Sequence, residues 1–159
     1  MRRATLLVAL VAVGLAACGP PYVSPIPPPP HRYLVVAPYD RTWYTLIRAF
    51  RNENVPLRVV AKDSGVIASD DFATPIGVYA DCGRYGDERV EGEALTNFTV
   101  YVRPVNATET EVQVNARMRT HRHRKGDSGK LKDQPVFECA STGRWEANLL
   151  DSVRRLTGE

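Results

Sequence analysis

The sequence predicts an α+β domain: an antiparallel sheet of about four to five strands with two helices packed on one face. Three observations carry this. Residues 98–103 and 112–119 alternate apolar and polar side chains on either side of a turn, the pattern of a hairpin buried on one face. Residues 41–54 and 143–156 each place large apolar residues at helical spacing. The order of elements is strand, helix, two strands, two strands, helix, so two amphipathic helices are available to cover a one-sided sheet.

The first predicted strand is 33–37, YLVVA, apolar and rich in β-branched residues. Pro38-Tyr39-Asp40 ends it, and Asp40 is a candidate helix N-cap. In RTWYTLIRAFRNEN, Trp43, Leu46, Ile47 and Phe50 fall at i, i+3, i+4 and i+7, while Arg41, Arg48 and Arg51 lie off that face. Val55-Pro56 closes the helix. Leu57, Val59 and Ala61 alternate with Arg58, Val60 and Lys62. Lys62-Asp63-Ser64-Gly65 reads as a turn and Val66 to Ser69 as the returning strand. Residues 73–92, rich in Gly, Asp and Tyr, read as a long loop. Phe98, Val100 and Val102 then pair with Val112, Val114, Ala116 and Met118 across a turn at 106–110. In the last helix Trp145, Leu149, Val153 and Leu156 share a side, with Ser141 or Thr142 as its cap.

Ahead of the domain, MRRATLLVALVAVGLAAC has the order of an export signal: Arg2 and Arg3, an apolar run from Ala4 to Leu15, then small residues. The apolar run is shorter than the roughly 20 residues a spanning helix needs. Residues 19–30, GPPYVSPIPPPP, hold too many prolines for a helix or central strand. They are expected to form an extended tether at about 3.1 Å per residue. The predicted organisation is therefore a signal peptide over 1–17, a modified cysteine and tether over 18–31, and one domain over 32–159. The formal net charge is +3, but Arg2 and Arg3 belong to the signal, so the remaining 142 residues carry +1. The alkaline pI is thus partly a property of the signal and is no argument for a nucleic-acid partner.

Leu15-Ala16-Ala17-Cys18 resembles the lipobox of bacterial lipoproteins. The resemblance implies cleavage before Cys18 and acylation of its sulfur and new amino terminus. Each buried methylene adds about 0.8 kcal/mol of membrane affinity, and several chains on one residue hold a protein durably. Gly19 stands where, by the same resemblance, an aspartate would favour inner-membrane retention. The expected location is the outer membrane, periplasmic face, in a diderm cell. With Cys18 lipidated, Cys82 and Cys139 remain, in a compartment where disulfides persist, and they are expected to pair. Two cysteines so far apart and without a CxxC spacing make a metal site the weaker alternative.

No catalytic arrangement stands out: there is no GxSxG, HExxH, CxxC or phosphate-binding glycine loop. Asp70 and Asp71 are neighbours in a strand and point apart, a poor geometry for a carboxylate pair. Glu91 and Glu93 share a face but read as exposed strand residues. His121 and His123 share a face with Arg117 and Arg119, whose charges oppose a metal cation. The chain is therefore read as non-catalytic, with no cofactor. The strongest surface signal is basic: Arg117, Arg119, Arg122, Arg124, Lys125, Lys130 and Lys132 against Asp127 within 117–132. Arg117, Arg119, Arg122, Arg124 and Lys125 are the candidate residues for an anionic ligand such as lipopolysaccharide or phospholipid. A charged hairpin end that keeps a sheet edge from pairing is the plainer alternative.

The stretch 38–69, PYDRTWYTLIRAFRNENVPLRVVAKDSGVIAS, resembles the domains of BamC-type outer-membrane assembly lipoproteins. The shared features are Trp43 early in the helix, its apolar face, the short strand, and Asp63-Ser64-Gly65 before Val66-Ile67. The resemblance covers about a quarter of the chain and implies a helix-grip fold that works by binding partners. The expected role is an accessory or scaffold in an envelope complex, held to the membrane by its N-terminal lipid and bound to an envelope protein.

Overall fold

A computed structural model of the protein describes residues 22–121 and 136–158. Eleven strands and two helices follow in order: β1 (Tyr22–Val23), β2 (His31–Val35), α1 (Tyr39–Asn52), β3 (Leu57–Ala61), β4 (Val66–Ser69), β5 (Phe72–Pro75), β6 (Ala80–Asp81), β7 (Arg84–Tyr85), β8 (Glu88–Arg89), β9 (Glu93–Pro104), β10 (Thr110–His121), β11 (Val136–Ser141) and α2 (Arg144–Thr157).

The spine is the β9–β10 hairpin, two strands of 12 residues each, about 40 Å long at the usual strand rise. Each outer edge of this hairpin is long enough to receive two short strands end to end. On β9, β4 pairs with Thr99–Tyr101 and β5 with Glu93–Thr96. On β10, β2 pairs with Thr110–Val114 and β11 with Met118–His121. Between β4 and β5 the register on β9 slips by one residue at Asp70-Asp71. There the Phe98 N–H donates to the Ser69 hydroxyl at 2.9 Å instead of to a ladder carbonyl. β3 extends the sheet beyond β4, and β6 beyond β11. All these pairings are antiparallel.

The expected α+β class, with a sheet of about four to five strands, is thus corrected. Strands hold 46% and helices 23% of the described residues, and the main sheet has eight strands, so the fold is mostly β. The helix-grip-like description goes with it. The shortfall lay in 73–92, read as loop, which contains β6, β7, β8 and most of β5, and in 136–141. These strands are short and lack alternation of their own. They form because a neighbouring edge is already in place, a long-range cause that local pattern does not register.

Both helices lie on one face of the sheet, antiparallel to each other. Arg41 near the start of α1 donates to the Thr157 carbonyl at the end of α2, at 2.6 Å. At the other end, Phe50 of α1 meets Trp145 of α2. The inward face of the hairpin is Ala94, Thr96, Phe98, Val100 and Val102 with Thr110, Val112, Val114, Met118 and Thr120, all buried. Three of these are threonines, and each hydroxyl has a partner: Thr96 with Thr74 (2.6 Å), Thr110 with the Ala37 carbonyl (2.9 Å), Thr120 with the Glu93 carbonyl (2.9 Å). That satisfaction is what admits them to a core.

The helix starts differ from expectation in detail. Pro38, not Asp40, is the α1 N-cap, and Asp40 lies in the first turn, where its charge suits the helix dipole. It also pairs with Lys62 at 2.8 Å. Gly143 is the α2 N-cap, and the Ser141 hydroxyl accepts from the Gly143 N–H at 3.1 Å. The turn at 62–65 is as read. Gly65, at φ 67°, lies so close to the Val102 carbonyl that no Cβ fits.

Trp145 is the keystone of the helix layer. Its ring stacks on Phe98 at 3.7 Å and contacts Phe50 at 5.7 Å and Phe72 at 6.3 Å. Trp145→Ala should therefore cost about 3–5 kcal/mol. Urea denaturation followed through Trp43 fluorescence checks this; a loss under 1 kcal/mol would show that the four-ring cluster is not the centre of the core.

Candidate functional site

The residues singled out from sequence fall in three places. Cys18, Arg122, Arg124 and Lys125 lie outside the described residues, as do His123, Lys130 and Lys132. Arg117 and Arg119 are described, on the polar face of β10, and both are committed locally. Arg117 pairs with Glu138 of β11 at 3.0 Å, and Arg119 pairs with Asp71. The Asn97 amide donates to the other Asp71 oxygen at 2.7 Å. The Asn97 bond and the Arg119 guanidinium together hold the Asp71 carboxyl below its ordinary range. Asp70 turns to Arg58 instead, at 3.5 Å. Although expected to point apart, the two aspartates line one concavity with Arg58, Asn97 and Arg119, each beside its own cation.

Cys82 and Cys139 are brought together, with sulfurs 2.00 Å apart and Cα atoms 4.2 Å apart. Both are buried. The contact ties the segment after β6 to β11, which already pair at Ala80–Asp81 with Ala140–Ser141.

The N-terminal segment reaches the same region. Tyr22 and Val23, within the expected tether, pair with Tyr85 and Arg84 of β7, and β8 completes a small three-stranded sheet. The Tyr22 hydroxyl donates to the Cys82 carbonyl at 2.9 Å, and its ring meets Phe137 at 4.6 Å and Tyr85 at 5.2 Å. Burial is the main cause that raises the Tyr22 hydroxyl above its ordinary pKa. Gly83, at φ 80°, makes the approach possible: a Cβ there would collide with the Val23 carbonyl and crowd the Tyr22 hydroxyl at 2.9 Å.

One more place lies outside the sequence-based expectations. Glu146 is 1% exposed, in the first turn of α2. One carboxylate oxygen accepts from the Ser141 hydroxyl at 2.6 Å; the other, like Nε2 of His31, is sealed from solvent without a partner. Both side chains line a cavity of about 90 Å³ under Pro27–Pro30, together with Val114, Asn115 and Cys139. That volume holds a few waters, each needing two or more polar partners, and is well below the roughly 300 Å³ at which organic-ligand sites begin. The arrangement suits buried water bridging Glu146 and His31. The signal was legible: Glu146, Leu149 and Val153 share one helical stripe, so a carboxylate stood on a buried face.

Among the described residues, no group of three or more His, Cys, Asp or Glu side chains is placed to hold a metal ion, and no helix is long and apolar enough to cross a membrane. No protein-family model matches the chain, and no curated protein matches it either.

The cysteine contact carries a direct prediction. A non-reduced digest should yield cross-linked Cys82 and Cys139 peptides by mass spectrometry, and full alkylation of both thiols without reduction would refute the pairing. For residues 57 apart, reduction should lower stability by about 4 kcal/mol at most on the chain-entropy argument.

Proposed function

We propose that the chain is a non-catalytic lipoprotein, anchored in the outer membrane through acyl chains on Cys18, whose periplasmic domain serves as an accessory or scaffold in an envelope complex. The observation that supports this most is the division of three cysteines. Leu15-Ala16-Ala17-Cys18 follows an apolar run in lipobox order, while the other two cysteines lie at bonding distance. The odd count then has a reason. The concavity formed by Asp70, Asp71, Arg58 and Arg119 argues in the same direction. Its charges are paired off, whereas general acid–base work needs a group free to exchange a proton with substrate.

Acylation is tested by metabolic labelling with a fatty-acid analogue. The wild type should carry the label and Cys18→Ser should not; a labelled serine variant would overturn the anchor. Affinity capture from detergent-solubilised membranes then tests the scaffold role, through a stoichiometric envelope protein that co-purifies.

A second reading is a module for an anionic envelope ligand, lipopolysaccharide or phospholipid. Because Arg117 and Arg119 are paired with Glu138 and Asp71, this reading depends on Arg122, Arg124 and Lys125, at about 1 kcal/mol each near an anionic surface. Neutralising those three should weaken binding of the lipid-free domain to anionic vesicles about 100-fold. Binding should also fall steeply between 0.1 M and 1 M salt, as the Debye length shrinks from about 10 Å to about 3 Å. Equal sedimentation of wild type and triple variant with vesicles would sink this reading.

A further inference from the structure

The anchor and the domain are closer in the chain than the proline content implies. A free tether over residues 19–31 would span roughly 40 Å as polyproline II. However, Tyr22 is already part of the fold: it is paired with Tyr85, bonded to the Cys82 carbonyl, and in contact with Phe137. Three residues, and so four Cα–Cα steps, separate it from Cys18. At most about 3.6 Å per step, they reach no further than about 14 Å. The headgroup layer between hydrocarbon and water is about 5–8 Å deep on each side of a bilayer. A leash that short uses much of its length crossing that layer.

We infer that the end of the domain formed by β1, β7 and β8 rests on the phospholipid headgroups of the membrane that holds Cys18, with the row Val23–Arg84–Arg89 as the contact. The inference rests on the acylation of Cys18 proposed above. The register of the small sheet places these three side chains in line on one face, and all three are exposed. The opposite face turns Tyr22 towards Phe137. Arg84 and Arg89 are directly opposed, an arrangement that like charges disfavour, and among the described residues neither has an ion-pair partner. Headgroup phosphates supply the missing acceptors, in the bidentate geometry guanidinium favours. Asp81 lines the same concavity, with one oxygen occupied by the Gly83 N–H at 2.9 Å; Asp87 lies on the turn between β7 and β8, and Glu88 is in β8 opposite Tyr85. The contact is therefore short-range pairing of guanidinium with phosphate, not attraction by a net positive field. Zwitterionic headgroups satisfy it as well as anionic ones.

The full-length, acylated protein is reconstituted into phosphatidylethanolamine vesicles carrying a photoactivatable headgroup analogue, and cross-links are mapped by digestion and mass spectrometry. Labelling should concentrate on residues 22–26 and 81–89, several-fold above the turn at 105–109, which lies at the far end of the β9–β10 hairpin. Gly83→Val, which expels Val23 from its seat, should bring 81–89 down to the level of 105–109 while mass spectrometry still finds Cys18 acylated. Should that variant fail to fold, the double variant R84E/R89E should lower labelling of 81–89 several-fold with β1 still seated. Even labelling of 81–89 and 105–109 on an acylated protein overturns the inference and leaves the anchor standing. Unchanged labelling in a folded Gly83→Val protein, or in R84E/R89E, also overturns it. An unacylated Cys18 removes both the anchor and the inference.

Discussion

The stack of Trp145 on Phe98 is the contact on which the helix layer depends. It joins the second helix to the middle of β9, and through Phe50 and Phe72 it reaches α1 and β5. Four elements from distant parts of the chain thus share one aromatic cluster. An aromatic pair contributes about 0.5–1.5 kcal/mol beyond the area it buries. The larger effect is positional. With Trp145 fixed, Leu149 and Val153 follow at helical spacing onto Val35, Val112 and Val114, where the remaining void is about 10 Å³, room for at most one water.

The sheet depends instead on length. Apolar alternation made the centre of β9 and β10 legible, at 98–103 and 112–119. It understated their reach because the inward positions at either end are threonines: Thr96, Thr110 and Thr120. A hydroxyl reads as polar in sequence, yet here each is bonded inside the fold. Once the hairpin extends to 12 residues a side, its edges must be paired or left open, and open edges are a liability. β4, β5, β2 and β11 close them. Of these, β2 and β4 carry enough apolar residues to be recognised alone. β5 and β11 do not, because Phe72–Pro75 and Val136–Ser141 owe their conformation to β9 and β10.

Of the candidate site, the Cys82–Cys139 contact could be read from the sequence: with Cys18 set aside by its resemblance to a lipobox cysteine, two cysteines were left to pair, and they lie at bonding distance. The N-terminal strand could not, since Tyr22-Val23 lies between prolines and pairs with a segment more than 60 residues away. Its seat depends on a glycine at positive φ, which is invisible until the partner backbone is in place. The arginines show the converse. A count of charge over 117–132 was accurate, but it could not register that Glu138 and Asp71, from other strands, meet Arg117 and Arg119. Net charge in a window describes a surface only when the opposing strands are known.

The segment 76–92 shows how weak local propensity is overcome. It holds few large apolar residues and several glycines, so burial alone cannot fix it. Three constraints from outside do so together. β11 pairs with Ala80–Asp81, the Cys139 sulfur meets Cys82, and Tyr22 donates to the Cys82 carbonyl while β1 pairs with β7. Each would be modest alone. Because all three converge within six residues, fixing any one reduces the entropy the others must overcome. The consequence is mechanical: a pull on the N-terminus is delivered first to β1 and the Cys82–Cys139 contact, and through β11 to the central hairpin. Were the chain held at Cys18, load would thus enter through β1 and β11 and reach the β9–β10 hairpin.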